Sequence, residues 1–114
     1  MGDNMGEKIS ISKYREQGAK IFTDRDRGLK ARNEIGLDQI EEKNEDVTII
    51  LPSDTWGINP SFFGGLFETS LKKYGKIGFE EKYHFEYTNG QMLKEALIED
   101  IEDDIGYVIR SIKE

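Results

Sequence analysis

Polar and apolar residues alternate from Lys8 to Tyr14, with Ile9 and Ile11 falling on the same side. That is the period of a half-buried strand. Arg15 to Lys20 contains Gly18 and predicts a turn, and Ile21-Phe22 predicts either a second short strand or a plug for the core. The pattern then lengthens. Thr23 is placed as a helix N-cap with Asp24 and Asp26 in the first turn, and a helix is expected over 24–40 with Leu29, Ile35 and Ile40 facing inward. Gly28 and Gly36 each weaken it by about 1 kcal/mol relative to Ala, so a kink or break is expected near Gly36-Leu37. Glu41 to Asp46 is a charged connection.

Val47-Thr48-Ile49-Ile50-Leu51 is nearly unbroken in its apolar character and rich in β-branched residues. It predicts a central strand covered on both faces, ended by Pro52. The loop Ser53–Ile58 leads to Asn59-Pro60, a capping side chain followed by proline at the first helical position. In the helix that follows, Phe62, Phe63, Leu66, Phe67, Ser70 and Tyr74 share a face, and Gly75 is placed as its C-cap. Gly64 and Gly65 fall away from the centre of that face, and paired glycines at such a cost predict that something approaches the backbone closely there. Lys76 to Glu81 is expected to be a linker. Tyr83, Phe85 and Tyr87 alternate as a strand, Asn89-Gly90 marks a turn, and Leu93, Leu97, Ile101, Ile105, Val108 and Ile112 stripe a last helix. The acids Glu95, Glu99, Asp100, Glu102 and Asp103 lie largely off that stripe. Strands alternating with helices predict an α/β fold: a mostly parallel or mixed four-stranded sheet with about three helices packed on it.

Composition narrows the function classes. The 114 residues suit one domain, with residues 1–7 expected to be a flexible tail. A net charge of −7 argues against non-specific nucleic-acid binding. There is no cysteine, so thiolate chemistry and disulfides are excluded. No apolar run approaches the roughly 20 residues of a membrane span, and the amino terminus lacks the regions of a signal peptide, so a cytoplasmic location is expected.

Candidate chemistry is sparse. Ser61 stands in the first turn of the phenylalanine-bearing helix, where free amides and the helix dipole favour added negative charge. It is read either as a phosphoacceptor or as a serine making only a local hydrogen bond; Ser53 and Thr55 are weaker candidates for the same role. Arg25, Arg27, Lys30 and Arg32 cluster at a helix start, where cations oppose the dipole; they are read either as an anion site or as partners of Asp24, Asp26 and Glu34. Trp56 is read as an exposed binding anchor or as a lid on the core. His84 is alone, no metal-ligand cluster is visible, and no catalytic triad context exists, so neither enzyme nor cofactor is expected.

The order of elements, with Ser61-Phe62-Phe63-Gly64-Gly65-Leu66-Phe67 following the central strand, resembles the STAS-like domain family, catalogued mainly as a domain of unknown function. The resemblance covers about Ile9 to Ile105. A weaker shared feature is a glycine and an arginine near the start of the first helix, here Gly28 and Arg32. The chain departs from the family pattern at Gly64-Gly65, where an acidic pair is usual, and at Glu68, where a glycine is usual. STAS domains proper are similar to anti-sigma-factor antagonists, which bind a kinase-type ATPase and are switched by phosphorylation of a Ser or Thr at a helix start. The resemblance implies a small non-catalytic regulatory domain, of bacterial or phage origin. Its phosphoacceptor would be Ser61, its protein-binding surface would be formed by Asp54, Thr55, Trp56 and Asn59, and its partner would be a histidine-kinase-like ATPase. The alternative is a small-molecule or nucleotide sensor binding anions through Arg25, Arg27 and Arg32.

Overall fold

Two interruptions set the architecture: the chain leaves its main sheet once after Ser10 and again after Leu51. In a computed structural model describing residues 6–113, the order is β1 (Glu7–Ser10), a 3-10 turn (Ser12–Tyr14), β2 (Ile21–Phe22), α1 (Arg25–Ile35), α2 (Leu37–Lys43), β3 (Val47–Leu51), β4 (Gly57–Ile58), α3 (Pro60–Lys82), β5 (Tyr83–Tyr87) and α4 (Glu95–Lys113). β3 lies between β1 and β5, all parallel, with Ile49 opposite both Ile9 and Phe85. β2 and β4 form a separate parallel pair. The expected four-stranded sheet is therefore replaced by three strands plus two. The reason is local. The 3-10 turn takes the first chain out of the ladder, and the Pro52 carbonyl accepts from the Thr55 amide at 3.0 Å, turning the second.

The sheet is covered on one face. Val47, Ile49 and Leu51 are fully buried, whereas Thr48 and Ile50 are half-exposed, which corrects the expectation of cover on both sides. The outer face carries polar pairs instead: Lys8 reaches Glu86 at 3.1 Å, and His84 reaches Asp46 at 2.9 Å.

Four helices form, not three. Gly36, at φ 76°, caps α1 and starts α2, so of the kink or break anticipated there the chain takes the break. The N-cap of α1 is Asp24 rather than Thr23; its side chain accepts from the Asp26 amide at 3.2 Å. The stretch Lys76–Glu81, expected to be a linker, is helical. Gly75, at φ 73° and ψ 175°, bends α3, and the chain re-enters the helix beyond it. The bend brings Phe79 back against Phe67, 5.0 Å between ring centres, and stacks it on Tyr83 at 4.9 Å. Phe63 and Phe67 complete this aromatic centre. Edge-to-face pairs of this kind add ~1 kcal/mol beyond their buried area.

α1 does not present the expected apolar stripe. Leu29 is exposed and Ile35 only partly buried; the inward face is Gly28, Ala31 and Arg32. That face crosses α3 at Gly65. A Cβ on Gly28 would overlap the Phe62 carbonyl, and one on Gly65 would overlap the Arg25 carbonyl. The close approach anticipated from the paired glycines is this crossing. No helix among the described residues is long and apolar enough to cross a membrane.

Candidate functional site

The connection from β3 through β4 to α3 places four of the sequence-derived candidates in one segment. Thr55 is buried, and Asp54, Trp56 and Asn59 are exposed. The loop is held from both sides. Arg15 Nη1 donates to Asp54 Oδ1 at 2.7 Å and to Thr55 Oγ1 at 3.2 Å. That hydrogen bond holds the Asp54 carboxyl below the usual carboxylate range. The Trp56 amide donates to the Lys20 carbonyl at 2.7 Å, and the Asn59 amide donates to the Phe22 carbonyl at 2.8 Å. The Trp56 indole itself is 70% exposed, with the Lys20 ammonium 5.3 Å from its ring centre. It does not cap the core. Beside it lies a hollow of about 220 Å³, walled by Thr55, Tyr87, Lys94 and Leu97.

β4 is fixed from α4: Asp100 Oδ2 accepts from the Ile58 amide at 2.8 Å. Asn59 then caps α3 by accepting from the Ser61 amide at 2.8 Å, with Pro60 next in line. Ser61 is exposed at that first turn. Five residues separate it from Trp56, so the chain allows at most about 17 Å between them.

The arginine candidates are dispersed. Arg25 pairs with Glu68 at 3.1 Å. Burial works against ionisation of Glu68, yet Arg25 and Lys72 together hold its carboxyl below its ordinary value. Arg32 is almost completely buried. Its Nη1 donates to the Leu66 carbonyl at 2.8 Å and to Ser70 Oγ at 2.9 Å, its Nε and Nη2 donate to Asp38 at 3.1 and 2.6 Å, and Nη2 lies 3.4 Å from Glu41. Ser70 and Tyr83 in turn donate to Glu41 Oε1 at 2.6 and 2.5 Å. Burial and then Glu41 push the Tyr83 hydroxyl well above the usual tyrosine range. Every donor of this Arg32 fork faces an internal acceptor. Arg27 differs: Glu16 lies 3.6 Å away, yet its buried Nη1 has no hydrogen-bond partner. It borders a hollow of about 260 Å³ with Lys13, Lys30, Asp24 and Asp26.

Sequence reasoning missed Arg15 and Lys20, which brace the Trp56 loop, because both lie in a turn without periodicity. It also missed the Arg32–Glu41 pairing. The one available signal was Ser70, a polar residue on an otherwise apolar stripe. Among the described residues no three His, Cys, Asp or Glu side chains converge as metal ligands. No family model, curated protein or solved structure matches the chain.

Proposed function

We propose that the chain is a non-catalytic regulatory domain that binds another protein through the Trp56 loop. The observation that carries this reading is an indole left exposed on an otherwise pinned loop. Covering an aromatic side chain of this size removes 150–250 Å² from water, on the order of 4–6 kcal/mol before binding costs. The loop is already ordered, so little conformational entropy remains to be lost on binding. Exposed tryptophans of this kind are typical centres of interface energy.

Ser61 supplies the means of control in this reading. A phosphoryl group there adds nearly two negative charges at a helix start that favours them, and changes the field beside the Trp56 loop. The STAS-like resemblance makes a kinase-type ATPase the expected partner. Incubation with candidate ATPases and ATP, followed by mass spectrometry, is expected to place one phosphoryl group on Ser61. Calorimetry is expected to show Trp56→Ala weakening the complex at least tenfold. Unmodified Ser61, together with unchanged binding by Trp56→Ala, Ser61→Ala and Ser61→Glu, overturns the proposal.

A second reading, an anion sensor, is favoured by the orphaned Arg27 Nη1 beside Lys13 and Lys30. Of the three arginines first considered, Arg27 is the one this reading rests on, since its Glu16 pairing at 3.6 Å leaves Nη1 without a hydrogen bond, whereas Arg25 and Arg32 hydrogen-bond to carboxylates. Phosphate and nucleotides are then expected to raise the melting temperature of the native chain and leave Arg27→Ala unmoved. Equal shifts in both, or none in either, remove this reading.

A further inference from the structure

We propose that the groove between the C-terminal part of α3 and α4 receives a cationic amphipathic helix from a partner protein. The groove measures about 470 Å³, and its walls are Phe79, Tyr83, Phe85, Leu93, Ile101 and Ile105. At its lip Met92 is 84% exposed and Ile98 39% exposed. The space lies at the β5 edge of the sheet, between that strand, the end of α3 and α4. Ile98 and Ile105 are seven residues apart on α4, about 10 Å along the axis, which matches two turns of a bound helix. Apolar grooves between helices take amphipathic helices through anchors at i, i+3, i+4 and i+7, and flexible methionine suits such a surface.

Charge selects the occupant. No Lys or Arg lines the groove; its charged rim is Glu80, His84 and Glu102. Glu80 is held by Lys76 at 3.1 Å and His84 by Asp46 at 2.9 Å. Glu102 is different, and so is its helix. Glu95, Glu99, Glu102 and Asp103 follow within nine residues of α4, all are exposed, and none joins an ion pair among the described residues. Outside α4, nine of the fifteen described carboxylates join an ion pair, so exposed unpaired acid is densest here. A second copy would set Glu102 and its neighbours against themselves. A helix with lysines or arginines flanking an apolar stripe would neutralise them while its stripe fills the groove.

The test uses the whole chain and three 14-residue peptides: leucine and lysine with leucines on one helical face, the same peptide with glutamate for lysine, and the lysine peptide scrambled. Calorimetry is expected to show saturable one-to-one binding of the first alone, weakened by salt. Amide NMR shifts are expected at Phe85, Met92, Ile98 and Ile101. A Met92→Ser/Ile98→Ser variant and a Glu99→Lys/Glu102→Lys variant, all at surface positions, are each expected to lose tenfold or more. Trp56→Ala is expected to bind normally, which separates this groove from the loop proposed above. Equal binding of the scrambled peptide, equal binding by the serine variant, or shifts confined elsewhere overturn the proposal. So does a dimer in sedimentation equilibrium that the serine variant dissolves, since the occupant is then a second copy.

Discussion

A hydrogen in place of a methyl decides how near α1 comes to α3. At Gly28 and Gly65 an added Cβ meets backbone oxygen of the facing helix, and backbone cannot yield as a side-chain tip can. Gly28→Ala and Gly65→Ala are each expected to cost ~3 kcal/mol or more in urea denaturation. Gly106, inside α4, has the flexible end of Arg110 as its nearest neighbour, at 3.4 Å. Gly106→Ala is expected to gain ~0.5–1 kcal/mol through helix propensity. Asp104 is a second residue-scale case. It is 2% exposed, one of its oxygens is buried without a partner, and burial, then Asp100 and Asp103, push its carboxyl up to about 8. The unfolded chain releases that proton near pH 4. Between those values the folded state binds more protons, so stability falls as pH rises through this window and the loss is complete above it. Asp104→Asn is expected to gain several kcal/mol at about pH 8.5, at most the ~5 kcal/mol of a window about four pH units wide, and ~1 kcal/mol or less near pH 4.5, read from urea midpoints at both.

At the scale of elements, one polar network ties α1, α2, α3 and β5 together. Arg32, Glu41, Ser70 and Tyr83 belong to four different elements and are all buried. Such a pair stabilises little relative to apolar residues of similar size, but breaking it strands a charge away from water. Glu41→Ala is expected to lose ~3–5 kcal/mol in chemical denaturation, and the Arg32→Met/Glu41→Leu double variant to recover most of that loss. The weak apolar pattern of α1 has its reason here. A helix that crosses its neighbour through a glycine has no room for a stripe of large side chains, and Arg32 occupies the next turn.

For the molecule as a whole, the groups that hold the fold and the surfaces proposed for binding separate in space. The aromatic centre and the Arg32–Glu41 network lie inside, whereas Trp56, Met92, Glu95, Glu99, Glu102 and Asp103 face solvent. Trp56→Ala is accordingly expected to change folding stability by less than ~0.5 kcal/mol, checked by its urea midpoint. The sequence by itself determined what depends on near neighbours along the chain: the β-branched strand at Val47, the Asn59-Pro60 helix start, the stripe of α4, the interruption at Gly36, and the loop that holds Asp54, Thr55, Trp56 and Asn59 as one segment. These follow from periods of two and 3.6 and from the chemistry of caps and turns. Only the tertiary structure decided that the sheet splits into three strands and two, that Arg32 turns inward while Arg27 does not, that the chain returns to helix after Gly75, and that Trp56 stays in water. The turns after Ser10 and at Pro52 are themselves local, but where the strands beyond them pair, and each of the other outcomes, is settled by groups brought together by the fold, through how closely two backbones can pack and which charges lose their water, and no local pattern carries that information.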